Sequence, residues 1–305
     1  MKKDLVSMNQ LSGEDIQRIL DAASFMKQII LSGNKKAPHL QGKSIVTLFY
    51  ENSTRTRMSF ELASKYLGAA SANISASASS VAKGETLIDT GRTLDMMGTD
   101  IIIIRHPMSG AAALLAENVN ASVINAGDGM NEHPTQALLD IFSLREKKGS
   151  LEGLKVAIVG DIYHSRVARS NIIGMRKMGA RVVLAAPETL MPPRIEELGA
   201  EIAASADEAV SGADAVMGLR IQKERQQAGL LPSLREYFKY YGLDGRRIAL
   251  AKPDAVIMHP GPMNRGVEIS SSAADSPASI INEQVRSGVA VRMALLHILA
   301  HSKEI

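Results

Sequence analysis

The chain has 305 residues, of which 45% are apolar, and a net charge of +3. At about 100–200 residues per domain, this length and composition predict a globular protein of two domains. The lack of cysteine excludes disulfides, thiolate nucleophiles and cysteine-ligated metals, and the lack of long apolar or like-charged runs argues for a cytoplasmic protein without membrane or nucleic-acid partners.

Short apolar runs alternate with amphipathic stretches in the first half of the chain. The predicted elements are, in chain order, a helix after Ser12, a strand at Ser44–Phe49, a helix at Met58–Leu67, strands at Asp100–Ile104 and Ala121–Asn125, and a helix at Thr135–Lys148. Pro134 suits the first turn of the last helix, where its missing N–H is not needed.

The segment Gly149–Gly153 is the predicted domain boundary, and the alternation restarts after it. The following elements are a strand at Lys155–Val159, a helix at Arg166–Met178, a strand at Arg181–Ala185, a helix at Pro193–Leu198, a short strand near Glu201, a helix at Asp207–Ser211, strands at Ala215–Leu219 and Ala255–Met258, and a helix at Ile281–His301. Ser205 and Glu208 are spaced as a capping box for the penultimate helix. The alternation predicts the α/β class, with two doubly wound parallel-sheet domains joined by helices.

Ligands of doubly wound sheets bind beyond the carboxyl ends of the strands, and polar motifs lie at those positions here. The residues Ser53–Arg57 follow the first predicted strand and open a helix. Hydroxyls, the N–H groups of a helix end and the Arg55 guanidinium are all donors that a phosphate prefers. The alternative is that Ser53 is a hydroxyl N-cap and that the arginines are solvated.

Other polar residues of the first half suit an anion or a carbonyl group. Arg105 ends a buried strand and is expected to point into a crevice, although it can also pair with a local carboxylate. His133 and Gln136 open a helix whose dipole favours a neutral imidazole that donates to a carbonyl oxygen, with a simple cap as the alternative. Lys83 lies in a serine-rich loop, where a solvated lysine is the alternative. His106 is interpreted as a structural or surface residue.

In the second half, polar residues follow three predicted strands. Gly160 lacks the partner glycines of a G-x-G-x-x-G pattern, which disfavours dinucleotide binding. Arg166, Arg220 and Gln222 are able to bind carboxylates, and Pro260, Gly261 and Pro262 set an irregular backbone whose carbonyls can face a ligand. No nucleophile motif, carboxylate pair or metal motif is present, so we predict no cofactor and a site that binds anions and polarises a carbonyl.

Taken together, these motifs resemble the aspartate/ornithine carbamoyltransferase family over nearly the whole chain. The stretches 53–57, 105–107, 133–136 and 259–262 occur in the order that is typical of the family. Lys83–Thr86 and the pattern Arg220-x-Gln222-x-Glu224-Arg225 are similar to its aspartate branch.

The resemblance implies a role for each candidate residue. The implied carbamoyl phosphate-binding set is Ser53, Thr54, Arg55, Thr56, Arg105, His133 and Gln136, with the backbone of Pro260, Gly261 and Pro262 at the carbamoyl amide. The implied aspartate-binding set is Lys83, Arg166, Arg220 and Gln222. Lys83, with Ser79 or Ser80, resembles a loop lent by a neighbouring subunit. Arg105, His133, Thr56 and Lys83 are the candidate catalytic residues.

The resemblance also implies the organisation and the reaction. It implies a carbamoyl phosphate domain at 1–149, to which a C-terminal helix at 285–305 returns, and an aspartate domain at 150–284. It further implies a homotrimer with shared active sites, to which regulatory chains or another pyrimidine enzyme can bind. The implied reaction is transfer of the carbamoyl group of carbamoyl phosphate to the α-amine of L-aspartate, the committed step of pyrimidine synthesis.

Two alternatives remain within the resemblance. One is a carbamoyltransferase for another amine such as ornithine, but that branch typically carries a cysteine in its His-x-x-Pro motif and a serine before Met217-Gly218, and this chain has neither. The other is a non-catalytic family member that serves as a pathway scaffold. Such a protein is expected to have lost some of Arg55, Arg105, His133 and Lys83, and all four are present.

Overall fold

The computed structural model describes residues 2–75, 84–222 and 230–302. The chain divides into two compact units: unit 1 comprises Met1–Leu139 and Val285–Ile305, and unit 2 comprises Asp140–Gln284. Each unit contains a parallel β-sheet accompanied by helices, so the predicted α/β class is confirmed. Unit 1 is built from both ends of the chain, whereas unit 2 is continuous in sequence.

The described part of unit 1 contains a four-stranded sheet in the order β2-β1-β3-β4, with every pairing parallel. A short 3₁₀ helix at Met8–Gln10 precedes the first α-helix. The following elements are, in chain order, α1 (Gly13–Leu31), β1 (Ser44–Phe49), α2 (Thr54–Tyr66), β2 (Ala70–Ser75), α3 (Leu87–Met96), β3 (Ile101–His106), α4 (Ala111–Ala116), β4 (Ser122–Asp128) and α5 (Pro134–Lys148).

The two central strands of this sheet are apolar along most of their length because both of their faces are covered. All four isoleucines of Ile101–Ile104 are buried, and β1 is buried after its first residue. Gly91 of α3 faces α4, where a Cβ atom would overlap the Leu115 side chain. This packing holds β3 between β1 and β4 and thereby determines where Arg105 leaves the sheet.

The described part of unit 2 contains a five-stranded parallel sheet in the order β7-β6-β5-β8-β9. Its helices and strands are β5 (Lys155–Val159), α6 (Arg166–Lys177), β6 (Arg181–Ala185), β7 (Glu201–Ile202), α7 (Ala206–Val210), β8 (Ala215–Gly218), α8 (Leu234–Tyr241), α9 (Gly245–Ile248), β9 (Val256–Met258), α10 (Ser271–Ala274) and α11 (Ile281–His301), which enters unit 1 at Val285. Strand order reverses between β5 and β8, and such switch points are where doubly wound sheets bind ligands.

The strongest sequence patterns predicted their elements to the residue. The strands β1, β5 and β6 and the helix α11 have the predicted bounds. Gly68 follows the C-cap of α2 with φ of +77°, as expected for a glycine at a helix end.

Other boundaries differ from the predictions. Helix α2 begins at Thr54 instead of Met58, because the Ser53–Arg57 segment itself forms the first turn. Strand β4 continues to Asp128, which pairs with His106, instead of ending at Asn125. The helix predicted at Pro193–Leu198 is only a 3₁₀ helix at Ile195–Leu198, since Arg194 before it and Gly199 after it both have left-handed backbone, at φ of +61° and +83°.

The predicted capping box of α7 is half formed. Ser205 Oγ accepts a hydrogen bond from Glu208 N at 3.1 Å, as expected, but the Glu208 carboxylate accepts from Ala204 N and not from Ser205 N. Helix α7 was also predicted to be the penultimate helix, which is wrong, because α8, α9 and α10 lie between it and α11.

An acidic side chain of α7 ties that helix to α9. Asp207 accepts hydrogen bonds from Arg246 Nη1 at 2.7 Å and from Arg247 Nε at 2.6 Å. These two guanidinium groups lower the pKa of Asp207 from 3.8 to about 2. Because the folded-state pKa lies below the unfolded one, the carboxylate stabilises the fold fully above about pH 4, and this contribution is lost as the pH falls towards about 2.

We expect Asp207→Asn to flatten the dependence of the unfolding free energy on pH between about pH 4 and pH 2. Urea titrations at several pH values measure this slope. Asp21→Asn, at an exposed position of α1, is the matched control and is expected to keep the wild-type slope. Equal slopes for wild type and Asp207→Asn would contradict the prediction.

Candidate functional site

Three sequence motifs of unit 1 meet at one edge of its sheet. The strands β1, β3 and β4 are neighbours and parallel, so their carboxyl ends lie side by side. Tyr50 N donates to Arg105 O at 2.8 Å, and Gly129 N donates to His106 O at 2.9 Å, which joins the segments that follow these strands. The structure therefore brings Ser53–Arg57, Arg105 and the His133 segment to the same edge.

The helix α2 begins with a hydroxyl group that does not cap it. Ser53 has the extended backbone of an N-cap residue, but its side chain makes no capping hydrogen bond, so the hydroxyl N-cap alternative is wrong. Thr54 and Arg55 are exposed, whereas Thr56 is buried and its carbonyl accepts from Ser59 Oγ at 2.9 Å. The first turn of a helix presents backbone N–H groups without helical acceptors, so this end suits an anion.

Arg105 lies at the end of β3 with most of its side chain covered. Its Nε atom is 3.2 Å from Glu51 Oε2, so the pairing with a local carboxylate that was the alternative for this residue is present. Its Nη1 atom donates to Ala126 O at 3.4 Å. These contacts orient the guanidinium from two sides. His106, the next residue, accepts from Met108 N through Nδ1, and burial lowers the pKa of its imidazole.

A buried carboxylate organises the loop between β4 and α5. The Asp128 oxygens accept hydrogen bonds from Gly110 N at 2.7 Å, from Asn125 Nδ2 at 2.8 Å and from Glu132 N at 3.1 Å. Gly129, at φ of +49°, approaches Ser109 so closely that a Cβ atom would lie 2.5 Å from Ser109 Oγ. The loop is therefore held against the chain that follows β3.

His133 and Gln136 emerge from this loop on the first turn of α5, and both side chains are buried. His133 O accepts from Gln136 N at 2.9 Å, so its backbone begins the helix. Thr135 Oγ1 lies 3.5 Å from His133 Nδ1, at the long limit of a hydrogen bond. Burial restricts the rotamers of the imidazole and the amide, as a preorganised donor to a substrate carbonyl requires.

The polar residues of unit 2 gather in the same way at the ends of β5 and β8. Arg166 is buried at the first position of α6, whose N-cap Ser165 accepts from Ala168 N. The loop before it is held by buried Asp161, which accepts from His164 N at 3.1 Å and from His164 Nδ1 at 2.9 Å. Gln222 Nε2 donates to His164 O at 3.2 Å, which joins the segment after β8 to this loop.

Arg220 follows strand β8, as Gln222 does, and is half-buried. Gly160, at φ of +142°, ends β5 where a dinucleotide fingerprint would begin. A Cβ atom there would lie 2.8 Å from both Cβ and O of Leu219. This glycine is thus explained by the close approach of the neighbouring strand end, and no pyrophosphate site is needed to account for it.

The segment after β9 is fixed by its own histidine and a buried glutamate. Gly261 N donates to His259 Nδ1 at 2.8 Å, so the ring proton lies on Nε2, 3.4 Å from Glu268 Oε1. Asn264 donates to Glu268 through its backbone N and through Nδ2. Pro260, Gly261 and Pro262 are held on this frame, and the Gly261–Pro262 bond is cis.

A buried tyrosine lies near these acidic groups. Burial, together with the charges of Glu268 and Asp161, raises the pKa of the Tyr237 hydroxyl, which keeps the phenol protonated.

Sequence reasoning missed the acidic partners of the site. Glu51, Asp128, Asp161 and Glu268 hold the expected arginine, histidine and proline motifs, and their only signal in the sequence is a position within or beside those motifs. Ser79, Ser80, Lys83, Glu224 and Arg225 lie outside the described residues.

The side chains gathered at these strand ends carry cationic and hydrogen-bonding groups. Within 2–75, 84–222 and 230–302, no group of three or more histidine and acidic side chains could hold a metal ion. In the same residues, no helix has both the length and the apolar character to span a membrane. The arrangement can bind phosphate and carboxylate groups and can polarise a carbonyl.

Family models match almost the whole chain. The model for the carbamoyl-P binding domain of aspartate/ornithine carbamoyltransferases matches residues 3–146, and the model for their Asp/Orn binding domain matches residues 152–299. The aspartate carbamoyltransferase catalytic subunit of Acetivibrio thermocellus is 70% identical over 297 residues, which cover 97% of this chain and 95% of that protein. The corresponding subunit of Ruminiclostridium cellulolyticum is 66% identical with the same coverage.

Solved structures of both branches are similar to the chain. Aspartate transcarbamoylase from Trypanosoma cruzi, in complex with carbamoyl phosphate and aspartate, superposes with a TM-score of 0.87 at 33% identity over 96% of this chain and 95% of that one. Ornithine carbamoyltransferase from Pyrococcus furiosus has a TM-score of 0.87 at 32% identity with the same coverage. The motifs, the two sheets and these matches agree: the chain belongs to the aspartate/ornithine carbamoyltransferase family.

Proposed function

We propose that this protein transfers the carbamoyl group of carbamoyl phosphate to the α-amine of L-aspartate, releasing phosphate and N-carbamoyl-L-aspartate. The observation that carries the proposal is the 70% identity, over 97% of the chain, to an aspartate carbamoyltransferase catalytic subunit. Two proteins with this level of sequence identity are expected to act on the same substrates. The clustering of cationic and hydroxyl side chains at strand ends agrees with two anionic substrates.

The first turn of α2 is the proposed phosphate site. Ser53 and Thr54 offer hydroxyl donors, and Arg55 offers a guanidinium that matches phosphate oxygens. The positive end of the helix dipole adds to the attraction of a doubly charged leaving group. The lack of a capping bond at Ser53 supports this role, because the hydroxyl is not consumed by its own helix.

Arg105, Thr56 and His133 are the proposed donors to the carbonyl oxygen of carbamoyl phosphate. Gln136 and the backbone of Pro260, Gly261 and Pro262 are proposed to bind the carbamoyl amide. The side chains of His133 and Gln136 are both buried, so these donors are held in place before the substrate binds. Preorganised donors of this kind stabilise the charge that develops in an acyl-transfer transition state.

The reaction then needs no covalent enzyme intermediate. The neutral amine of aspartate attacks the carbonyl carbon, and its electron pair forms the new C–N bond. The carbonyl oxygen gains negative charge in the tetrahedral intermediate, where the donors of unit 1 stabilise it. The C–O bond to phosphate breaks next, phosphate leaves with the electron pair, and the amine proton passes to phosphate. Orientation of the two substrates supplies much of the remaining acceleration.

Arg166 and Arg220 are the proposed ligands of the aspartate carboxylates, with Gln222 beside them and Lys83 from its loop. An arginine can bind a carboxylate with two parallel hydrogen bonds, which favours a dicarboxylate over a cationic amine. The second candidate is ornithine as the acceptor, which the similarity to the Pyrococcus furiosus enzyme keeps in consideration. The arginines of unit 2 argue against it, because they would repel the cationic side chain of ornithine.

The family relationship also supports a finer description of the protein in the cell. We include in the proposal a homotrimer, in which Ser79 or Ser80 and Lys83 of one subunit serve the site of its neighbour, and a cytoplasmic location. Light scattering of the purified protein measures the oligomer mass, and a mass of one chain would contradict the trimer.

An end-point assay with carbamoyl phosphate and either L-aspartate or L-ornithine tests the function. We expect carbamoylated product with aspartate and none above background with ornithine. Product with ornithine alone would show that the role of unit 2 is misassigned. No product with either amine would contradict the enzymatic proposal and favour the scaffold alternative.

A further inference from the structure

The first residues of the chain are bound along the outer edge of the unit 1 sheet. The N-terminal segment, defined here as residues 3–10, pairs in parallel with β4: Leu5 N donates to Val123 O, and Asn125 N donates to Leu5 O, both at 2.9 Å. Asn125 Nδ2 also donates to Val6 O at 2.9 Å. This edge contact runs towards the carboxyl end of β4, where the loop to α5 begins.

The N-terminal segment also contacts Glu132, the residue that precedes His133. Ser7 Oγ donates to Glu132 Oε1, and Met8 N donates to Glu132 Oε2 at 2.9 Å. Glu132 is 5% exposed, and hydrogen bonds to such a carboxylate are strong because they are charge-assisted. Both carboxylate oxygens of Glu132 are thus held by the N-terminal segment.

Glu132 is fixed on its backbone as well as on its side chain. Glu132 N donates to Asp128 Oδ1 at 3.1 Å, and Glu132 O accepts from Asp128 N at 3.1 Å. The next peptide leads directly into His133, whose carbonyl begins α5. The contacts of Glu132 therefore lie one residue from the backbone from which the His133 imidazole projects.

We propose that Glu132 is a positioning residue, through which the N-terminal segment sets the orientation of the His133 side chain. This inference rests on the proposed function, because it assigns His133 a donor role towards the carbamoyl group. The anchoring residues are 125 positions apart in sequence, so the contact is made only in the folded unit. The N-terminal segment accordingly acts on catalysis through Glu132 and His133.

A purely structural role predicts a different result, and two serines separate the alternatives. Ser7 caps the 3₁₀ helix at Met8–Gln10 and also donates to Glu132. Ser12 caps α1 in a capping box with Asp15. Either change to alanine removes the cap of the following helix, and Ser7→Ala is expected to cost more stability because it also removes a charge-assisted bond to a buried carboxylate. Ser7→Ala alone removes a bond to Glu132.

The experiment compares Ser7→Ala, Ser12→Ala and Glu132→Gln with wild type, using kcat, the KM of each substrate and urea unfolding. We expect kcat to fall about tenfold in Ser7→Ala and in Glu132→Gln, because small displacements of a catalytic group have effects of this size. Ser12→Ala is expected to keep the wild-type kcat. Ser7→Thr retains the hydroxyl and is expected to restore kcat.

The outcomes separate this inference from the proposed function. If wild type carbamoylates neither aspartate nor ornithine, the proposed function fails and the inference fails with it. If wild type is active and Ser7→Ala and Glu132→Gln turn over as fast as Ser12→Ala, only the inference is overturned. If Ser7→Ala does not fold, the comparison is made with the folded variants Ser7→Thr and Glu132→Gln. A wild-type kcat in Glu132→Gln would then overturn the inference.

Discussion

Replacing Arg105 with alanine is expected to lower kcat about 10²–10³-fold while the protein remains folded. The guanidinium is one of the proposed donors to the developing oxyanion, and donors of this kind matter most in the transition state. The strand β3 keeps its backbone pairing with β1 and β4 in the variant, because none of those hydrogen bonds involves the Arg105 side chain. The Glu51 side chain, which is 19% exposed, loses its ion-pair partner, so the variant is expected to be less stable than wild type while remaining folded.

The measurement is steady-state kinetics with circular dichroism as the check on folding. Arg92→Ala is the matched control, since Arg92 is an exposed arginine of the same unit and binds Asn118 Oδ1. It is expected to keep wild-type kcat. Arg105→Lys is expected to recover little activity, because a single ammonium does not reproduce the planar guanidinium. A folded Arg105→Ala protein with wild-type turnover would remove Arg105 from the mechanism.

Replacing Glu268 with glutamine is expected to lower the unfolding free energy by about 2–4 kcal/mol. In a fully buried position, its carboxylate accepts from the Asn264 backbone N–H and from Asn264 Nδ2, and His259 Nε2 lies 3.4 Å from Oε1. Glutamine keeps one acceptor oxygen but turns an NH₂ group towards these donors. At least one buried donor then loses its acceptor, and its lost solvation is not recovered.

Urea unfolding measures this loss. Glu201→Gln is the matched control from the same unit: Glu201 pairs with Arg181 at 2.5 Å, but both side chains are largely exposed. An exposed pair contributes little even when its geometry is good, so the control is expected to unfold at nearly the wild-type midpoint. Equal midpoints for the two variants would show that Glu268 does not support the segment after β9.

The elements that could be predicted from the sequence are those in which the residue types themselves indicate burial. The strands β1, β5 and β6 are runs of aliphatic residues, which both-sided burial in a parallel sheet demands. Strand β2, Ala70–Ser75, was missed because alanine and asparagine are disfavoured in strands, although apolar Ala70, Ala72 and Ile74 alternate with polar residues. It is a strand only because β1 offers it a pairing edge, and such tertiary pairing leaves no local signal.

The candidate site divides along the same line. The positions of Ser53, Arg105, His133 and Arg166 at strand ends followed from motif and periodicity, because topology alone brings strand ends together. The supporting carboxylates could not be inferred in this way. A pair such as Glu132 and Ser7 is separated by most of unit 1 in sequence and becomes a contact only through the fold.

The division of unit 1 between the two ends of the chain reverses the usual order of assembly during translation. Domains generally fold from the N-terminus onwards as they are made. Here the ribosome completes unit 2, Asp140–Gln284, before it makes Val285. Unit 1 stays incomplete until the rest of α11 has been made. That helix supplies buried Leu295 and Leu296 and places Arg292 over the Phe60 ring, at 5.0 Å from its centroid. The residues made first therefore belong to the unit finished last, and the apolar surface that α11 covers stays exposed in the nascent chain until the C-terminal residues are made.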